Sequence, residues 1–211
     1  MKNAYKGIKK IYWAEILAIV STLALIISTL LSHGAEYKTA VSAAFAISAV
    51  LEVIEFILIF IGANQAVKYE KDFKNVRFLV VVLAIIAALQ AIFTGNTIIA
   101  KGLIVANNAL ELILIICVIK ACISIADDLE EKEIIKKGRN AVKVALATFL
   151  VSVGLYLVVG SIKAKSSGSV MILSETMEAI ILVTALVFLI FAYLMYISML
   201  SMTIRMLDEY L

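Results

Sequence analysis

Long apolar runs separated by short polar connections set the pattern of this chain. Each run has about 20 residues or more, which is the length that an α-helix needs to cross the hydrocarbon of a bilayer. None of them alternates polar and apolar residues with the period of two that is typical of a barrel strand. The pattern therefore predicts an all-α membrane protein with six transmembrane helices. The six runs are at about 11–31, 40–66, 76–94, 103–126, 141–160 and 170–203.

Composition indicates a membrane protein and gives no sign of a nucleic-acid partner. Of the 211 residues, 64% are hydrophobic, against about 45–50% in soluble globular domains. We expect one transmembrane domain over residues 1–211, surrounded by the lipid bilayer. The net charge of +3 is modest and does not indicate a nucleic-acid partner. Lysine outnumbers arginine by 16 to 3, which suggests an AT-rich prokaryotic genome, so we expect the inner membrane of a bacterium.

The positive charges predict the orientation of the helices. The N-terminus, the second and fourth connections and the C-terminal end carry 14 Lys or Arg residues, whereas the other three connections carry 4. Positive charge collects in cytoplasmic loops. Both termini are therefore predicted to lie in the cytoplasm.

A weak internal repeat divides the chain into three helical hairpins. Lys9, Lys74 and Arg139 each open an odd-numbered run, and they are separated by 65 and 65 residues. Because each unit holds two spans, successive units keep one orientation, as in parallel repeats about an axis along the membrane normal. We predict hairpins at about 9–73, 74–138 and 139–211, arranged with pseudo-threefold symmetry.

Two carboxylates inside the second apolar run are the first candidate site. Glu52 and Glu55 are three residues apart, which places both on one helix face. That face continues through Ser48, Gly62 and Ala66, a small and polar stripe suited to close packing. An ionisable group inside a span is costly and usually faces a partner, a cavity or the bundle interior. A ligand site and a hydrogen bond to a neighbouring helix are equally good interpretations.

Two similar polar pairs occur in the other even-numbered runs. Asn108 precedes Glu111, and Glu175 precedes Glu178, each at a spacing of three. If the three hairpins repeat, all these side chains converge on one substrate-binding site with Glu52 and Glu55. The alternative is that both pairs cap the first turn of their helices.

The remaining polar residues have structural interpretations. His33 is the only histidine, and Cys117 and Cys122 lie in one apolar run as small apolar side chains. Tyr193 and Tyr196 are expected to hydrogen-bond a neighbouring helix. No metalloprotease, nucleophile-elbow or phosphate-loop motif is present. We therefore expect neither an enzyme nor a metal or other cofactor.

Two function classes follow from the intramembrane acids. Carboxylates held together in a medium of low dielectric repel one another unless a proton or a cation enters. The first class is a protein that binds or transports a small polar or cationic solute through an outward-facing acidic cavity. The second is an assembly or accessory subunit whose acids pair with the cations of another membrane protein.

The fourth connection is the largest polar segment and a candidate docking surface for a cytoplasmic or membrane protein at the inner face. We predict that the fourth helix continues into it through Glu133, supported by a charge pair with Lys137, and stops at Gly138. A solvated turn is the simpler alternative. The predicted docking residues are Asp127, Asp128, Glu130, Glu131 and Glu133.

Overall fold

Every regular element in the described residues is an α-helix. The computed structural model describes residues 1–31, 38–93, 98–165 and 175–211. Each helix contains most of one predicted apolar run, so the all-helical prediction is confirmed. The helices are α1 (Lys2–Leu31), α2 (Lys38–Ala66), α3 (Phe73–Ile92), α4 (Ile98–Asp128), α5 (Lys132–Lys165) and α6 (Glu175–Glu209).

Four helices in the described residues are long and apolar enough to cross a membrane. At most 39% of the most apolar part of each is buried against the rest of the protein. A helix that is apolar on all sides must be covered by protein or by lipid, and here protein covers the smaller part. These helices are consistent with a multi-pass membrane protein. The four spans are Val41–Ala66, Phe73–Ile92, Ile98–Asp128 and Leu186–Glu209.

Consecutive helices pack against each other, and α6 returns to pack against α1. Gly7 near the start of α1 lies against Ala66 at the end of α2. Tyr210 near the C-terminus hydrogen-bonds Glu131 in the connection between α4 and α5. These contacts bring the chain termini, the α2–α3 connection and the α4–α5 connection to one end of the bundle. We call it the basic end, because 14 of the 19 Lys and Arg residues lie in these segments or in the helix turns that adjoin them.

The buried core lies in the half of the bundle next to the basic end. Toward the opposite end, few of the described side chains are buried; Ile92 is 71% exposed and Ile98 is 90% exposed. The bundle is therefore packed by protein at one end and presents apolar side chains to its surroundings at the other. The core residues fall within 4–14, 59–66, 73–83, 114–126, 134–141 and 196–207.

The pair α1 and α2 packs through small residues, as the stripe on α2 predicted. Gly7 and Gly62 face each other so closely that a methyl group built on Gly62 would lie 2.6 Å from the carbonyl oxygen of Gly7. Farther along, the buried hydroxyls of Ser21 and Ser48 hydrogen-bond at 2.7 Å. Close backbone approach and a hydrogen bond between helices are the interactions that hold helices together where lipid gives no hydrophobic driving force.

The predicted continuation of α4 through Glu133 is wrong, because α4 ends at Asp128. Glu130 adopts a left-handed conformation with φ of 58°, and the N–H of Glu131 donates to the carbonyl oxygen of Ala126 at 2.8 Å. This is the Schellman arrangement that terminates a helix, usually with glycine at the left-handed position. The chain therefore reverses at this point.

The predicted helix stop at Gly138 is also wrong. Gly138 lies inside α5 and is buried between α4 and α6. A methyl group there would lie 2.6 Å from the side chain of Ile123 and 3.2 Å from that of Met199. The missing side chain allows three helices to approach each other, which is the role of small residues in membrane helix packing.

Candidate functional site

A buried carboxylate that the sequence analysis did not single out lies at the contact between α1 and α6. Glu15 is only 6% exposed. The hydroxyl of Tyr193 donates to its Oε2 atom at 2.6 Å, and the hydroxyl of Tyr196 donates to its Oε1 atom at 3.0 Å. The two tyrosines are three residues apart on α6, so both reach the same place. Their predicted hydrogen bonds to a neighbouring helix are confirmed.

Glu55 of α2 is half-buried and has no hydrogen-bond partner in the described part of the chain. In that same part, no fully buried side-chain oxygen or nitrogen lacks a partner. The oxygens of Glu55 therefore keep some accessible surface. A carboxylate in this state can still accept hydrogen bonds from a molecule that enters the site.

Glu111 of α4 is exposed, and its Oε1 atom accepts a hydrogen bond from the side-chain amide of Asn107. The predicted partner Asn108 is exposed and does not make this bond. The capping alternative is wrong for this pair, because α4 begins at Ile98, about three turns before Glu111. The spacing of four between Asn107 and Glu111 places them on one helix face.

Four carboxylates from three helices interact electrostatically, and we define them as the acidic cluster: Glu15, Glu52, Glu55 and Glu111. Glu55 interacts electrostatically with the other three, and Glu111 also interacts with Glu15 and Glu52. Exposure differs among the members: Glu15 is buried, Glu55 is half-buried, and Glu52 and Glu111 are exposed. The cluster therefore runs from the packed core outward.

The acidic cluster includes side chains from helices that do not pack closely against each other. In the described residues, α4 does not pack extensively against α1 or α2, although Glu111 interacts with Glu15 and Glu55. Glu111 therefore interacts with the acids of α1 and α2 from a helix that does not pack closely against theirs. No Lys, Arg or His in the described part of the chain forms an ion pair with Glu15, Glu55 or Glu111.

The predicted site residues on α6 lie outside the described side chains. The helix begins at Glu175, so Glu175 and Glu178 belong to its first turn. Of the six residues predicted to converge, Glu52, Glu55 and Glu111 interact electrostatically, and their role as a substrate site stays a prediction.

The arrangement favours a cationic or hydrogen-bond-donating ligand over a bound metal ion. Within the described residues, no three or more His, Cys, Asp or Glu side chains form a group that could hold a metal ion. Ionised carboxylates only accept hydrogen bonds, so a ligand of this cluster needs N–H or O–H groups or a positive charge.

The predicted docking residues lie around the α4–α5 connection at the basic end. Four of them are exposed, and Glu131 is half-buried. The hydroxyl of Tyr210 donates to the Oε1 atom of Glu131 at 3.4 Å, so the C-terminal end of the chain lies beside this surface.

Glu15 and Asn107 are the site residues that the sequence analysis missed. Glu15 lies four residues inside the first apolar run, and a lone acid within such a run is itself a signal for a functional or paired residue.

Comparisons of the chain with protein-family models, with curated proteins and with solved structures found no match.

Proposed function

We propose that this protein binds or transports a small polar or cationic solute through the acidic cluster. The observation that carries the proposal is the state of Glu55. Its carboxylate lies inside a candidate span, interacts electrostatically with Glu15 and Glu111, and retains accessible surface without a hydrogen-bond partner in the described chain. The simplest explanation of an accessible carboxylate without a partner inside a span is that it binds a solute.

Electrostatics indicates the charge of the solute. A charge inside a membrane is costly unless it is paired, and the acidic cluster adds repulsion between its own members. No cation of the described residues pairs with Glu15, Glu55 or Glu111. An entering cation relieves both costs, so the cluster binds cations in preference to neutral molecules of similar shape.

The proposed topology gives the direction of access. We place all six helices across the inner membrane of a prokaryote, as three hairpins related by a weak repeat, with both termini in the cytoplasm. The asymmetry of 14 against 4 cations supports this orientation. The basic end then faces the cytoplasm, and the solute reaches the acidic cluster from the outer side of the membrane.

The experiment compares cation binding by Glu55→Gln and by the unmodified protein. The full chain in detergent is titrated with methylammonium, guanidinium and choline, with urea as an uncharged comparison, and thermal stabilisation reports binding. The binding cation is then used in uptake assays with proteoliposomes. We expect Glu55→Gln to weaken binding by about tenfold or more, because it removes the charge of a hydrogen-bonding partner.

A matched control is Glu133→Gln, which makes the same change at an exposed acid of the α4–α5 surface and should leave cation binding unchanged. Folded yield and melting temperature without ligand should be similar for Glu55→Gln and the unmodified protein. The proposal fails if Glu55→Gln binds the cation normally, or if its main effect is a loss of folded protein.

The exposure of Glu52 and Glu111 favours a second candidate function. In this alternative the chain is a membrane-embedded accessory subunit, and its exposed acids pair with cations of another membrane protein. The double substitution of Glu52→Gln and Glu111→Gln would then abolish a complex purified from native membranes, and none of the tested cations would stabilise the unmodified protein.

A further inference from the structure

A surface cavity of about 420 Å³ lies at the basic end, where α5 leaves the α4–α5 connection. Its charged lining consists mainly of cations from the first turns of α5. One acid, Asp127 at the end of α4, also lines it. Four positive charges against one negative charge make the cavity electropositive, and the N-terminus of α5 adds the positive end of a helix dipole. The four cations are Lys132, Lys136, Arg139 and Lys143.

These cations follow one face of α5, because they are spaced by four, three and four residues. The same face then becomes apolar and remains uncovered. Leu146, Leu150 and Val153 continue the spacing and are 42%, 68% and 39% exposed. One stripe on α5 therefore passes from a cationic cavity to an uncovered apolar surface within a few turns.

We infer that this stripe is a binding site for an anionic phospholipid. The phosphate of the headgroup lies in the cavity against Lys136 and Arg139, and an acyl chain lies along Leu146 and Leu150. Basic pockets between helices at the cytoplasmic side of a membrane are suited to anionic headgroups, and the arginine fork matches the geometry of a phosphate. A soluble anion would need only the cavity, whereas the adjoining apolar surface fits a molecule with a hydrocarbon tail.

The inference depends on α5 crossing the membrane and not on the acidic cluster. Its test is therefore independent of cation binding at Glu55. A variant that loses the lipid site should still bind the solute in detergent, and Glu55→Gln should still bind the lipid.

The experiment titrates the full chain in a neutral detergent with fluorescent phosphatidylglycerol, and in parallel with fluorescent phosphatidylcholine. The test variant carries Lys136→Gln and Arg139→Gln. We expect it to bind phosphatidylglycerol about tenfold or more weakly, because each cation near an anionic headgroup strengthens binding several-fold. The control carries Lys71→Gln and Lys74→Gln, two exposed cations at the same end of the bundle but outside the cavity, and it should bind normally.

A substitution with the opposite expected sign keeps the test decisive if the double variant folds poorly. Asp127→Asn removes the one acid of the cavity and should tighten phosphatidylglycerol binding by about two- to fivefold. Unlabelled phosphatidylglycerol should displace the fluorescent lipid, and inorganic phosphate should not.

Three results would overturn the lipid site. The first is equal binding of phosphatidylglycerol and phosphatidylcholine by the unmodified protein. The second is normal phosphatidylglycerol binding by the double variant, or no gain for Asp127→Asn. The third is displacement of the fluorescent lipid by inorganic phosphate as effectively as by phosphatidylglycerol, which would make the cavity a site for soluble anions.

Discussion

Glu15 and Glu55 are the same residue type in neighbouring places, yet their surroundings give them different roles. Both oxygens of Glu15 accept tyrosine hydroxyls, whereas Glu55 accepts no hydrogen bond from the described residues. A satisfied buried carboxylate fixes helices relative to each other. An unsatisfied accessible one remains free to bind a ligand. We therefore propose that Glu15 holds α1 against α6 and that Glu55 contacts the solute.

The first role predicts a loss of stability on removing a tyrosine hydroxyl. Tyr193→Phe leaves the Oε2 atom of Glu15 without its donor and should lower the free energy of unfolding by about 1 kcal/mol, within the range of hydrogen bonds between membrane helices. Denaturant unfolding in detergent measures the change.

Tyr12→Phe is the matched control, because Tyr12 packs edge-on against Trp13 and no hydrogen bond involves its hydroxyl in the described part of the chain. It should leave stability within a few tenths of a kcal/mol. Equal stability of the Tyr193→Phe and Tyr12→Phe variants would show that the tyrosine to Glu15 bond does not hold the two helices.

For single residues, the sequence predicted which kinds of side chain interact better than it predicted which residue is the hydrogen-bond partner. Asn107 and Asn108 lie four and three residues before Glu111, and both spacings put a side chain near that carboxylate, so the sequence alone does not choose between them. The capping alternative assumed that the helix begins near Asn108. The helix instead includes Lys101 and Gly102, which are exposed, because neither residue prevents helix formation at an uncrowded surface.

Among the elements, the α1–α2 pair shows how closely membrane helices approach when glycine occupies the contact. At Gly7 and Gly62 the two backbones are so close that no methyl group fits between them. Farther along the pair, Ser21 and Ser48 form a hydrogen bond between the two helices. The acidic cluster depends on this pairing, since Glu15 and Glu55 belong to these two helices.

We predict that Gly62→Ala destabilises this pair. The added methyl group would lie 2.6 Å from the carbonyl oxygen of Gly7, and the helices must move apart. Overpacking of this kind costs about 1–3 kcal/mol, against a gain of up to about 1 kcal/mol in helix propensity. The melting temperature of the purified protein should fall.

Gly102→Ala provides the control, because a methyl group on Gly102 meets nothing within 4 Å in the described structure. It makes the same chemical change and should leave the melting temperature unchanged or slightly raised. A melting temperature for Gly62→Ala that equals or exceeds that of Gly102→Ala would contradict the close contact.

Hydropathy predicted six helices well, because a span of about 20 apolar residues leaves the backbone no other way to satisfy its hydrogen bonds in lipid. Helix ends were less predictable. Glu130 adopts the left-handed conformation that usually belongs to glycine, so no residue in the sequence marked the end of α4. At Gly138 the sequence predicted a helix end where there is none, because this glycine allows close packing inside α5.

For the whole molecule, the basic end, the packed core and the acidic cluster follow one another in that order along the bundle axis. Apolar patterning predicts which segments are helices but not which of them meet, since contacts between distant segments depend on how the bundle packs. Glu52, Glu55 and Glu111 could be proposed together because each lies in a polar pair inside an even-numbered apolar run. The contribution of Glu15 from α1 became evident only from its contacts with α6.

The orientation of the bundle gives the last prediction. With the basic end in the cytoplasm, exposed Lys71 and Glu133 face inward, and Ile98 at the start of α4 faces outward. Single cysteines at these three positions are tested in a chain whose native cysteines, Cys117 and Cys122, are replaced by alanine. In intact bacterial cells a maleimide that cannot cross the membrane should label only the cysteine at position 98.

After permeabilisation the cysteines at positions 71 and 133 should react as well, which controls for their accessibility in the folded protein. If either position were labelled in intact cells while position 98 stayed unlabelled, the bundle would have the opposite orientation in the membrane. The acidic cluster would then open toward the cytoplasm, and the cationic stripe of α5 would face the outer leaflet. Since the positive-inside rule orients short loops through their lysines and arginines, the excess of 14 cations over 4 makes the inward basic end the expected result.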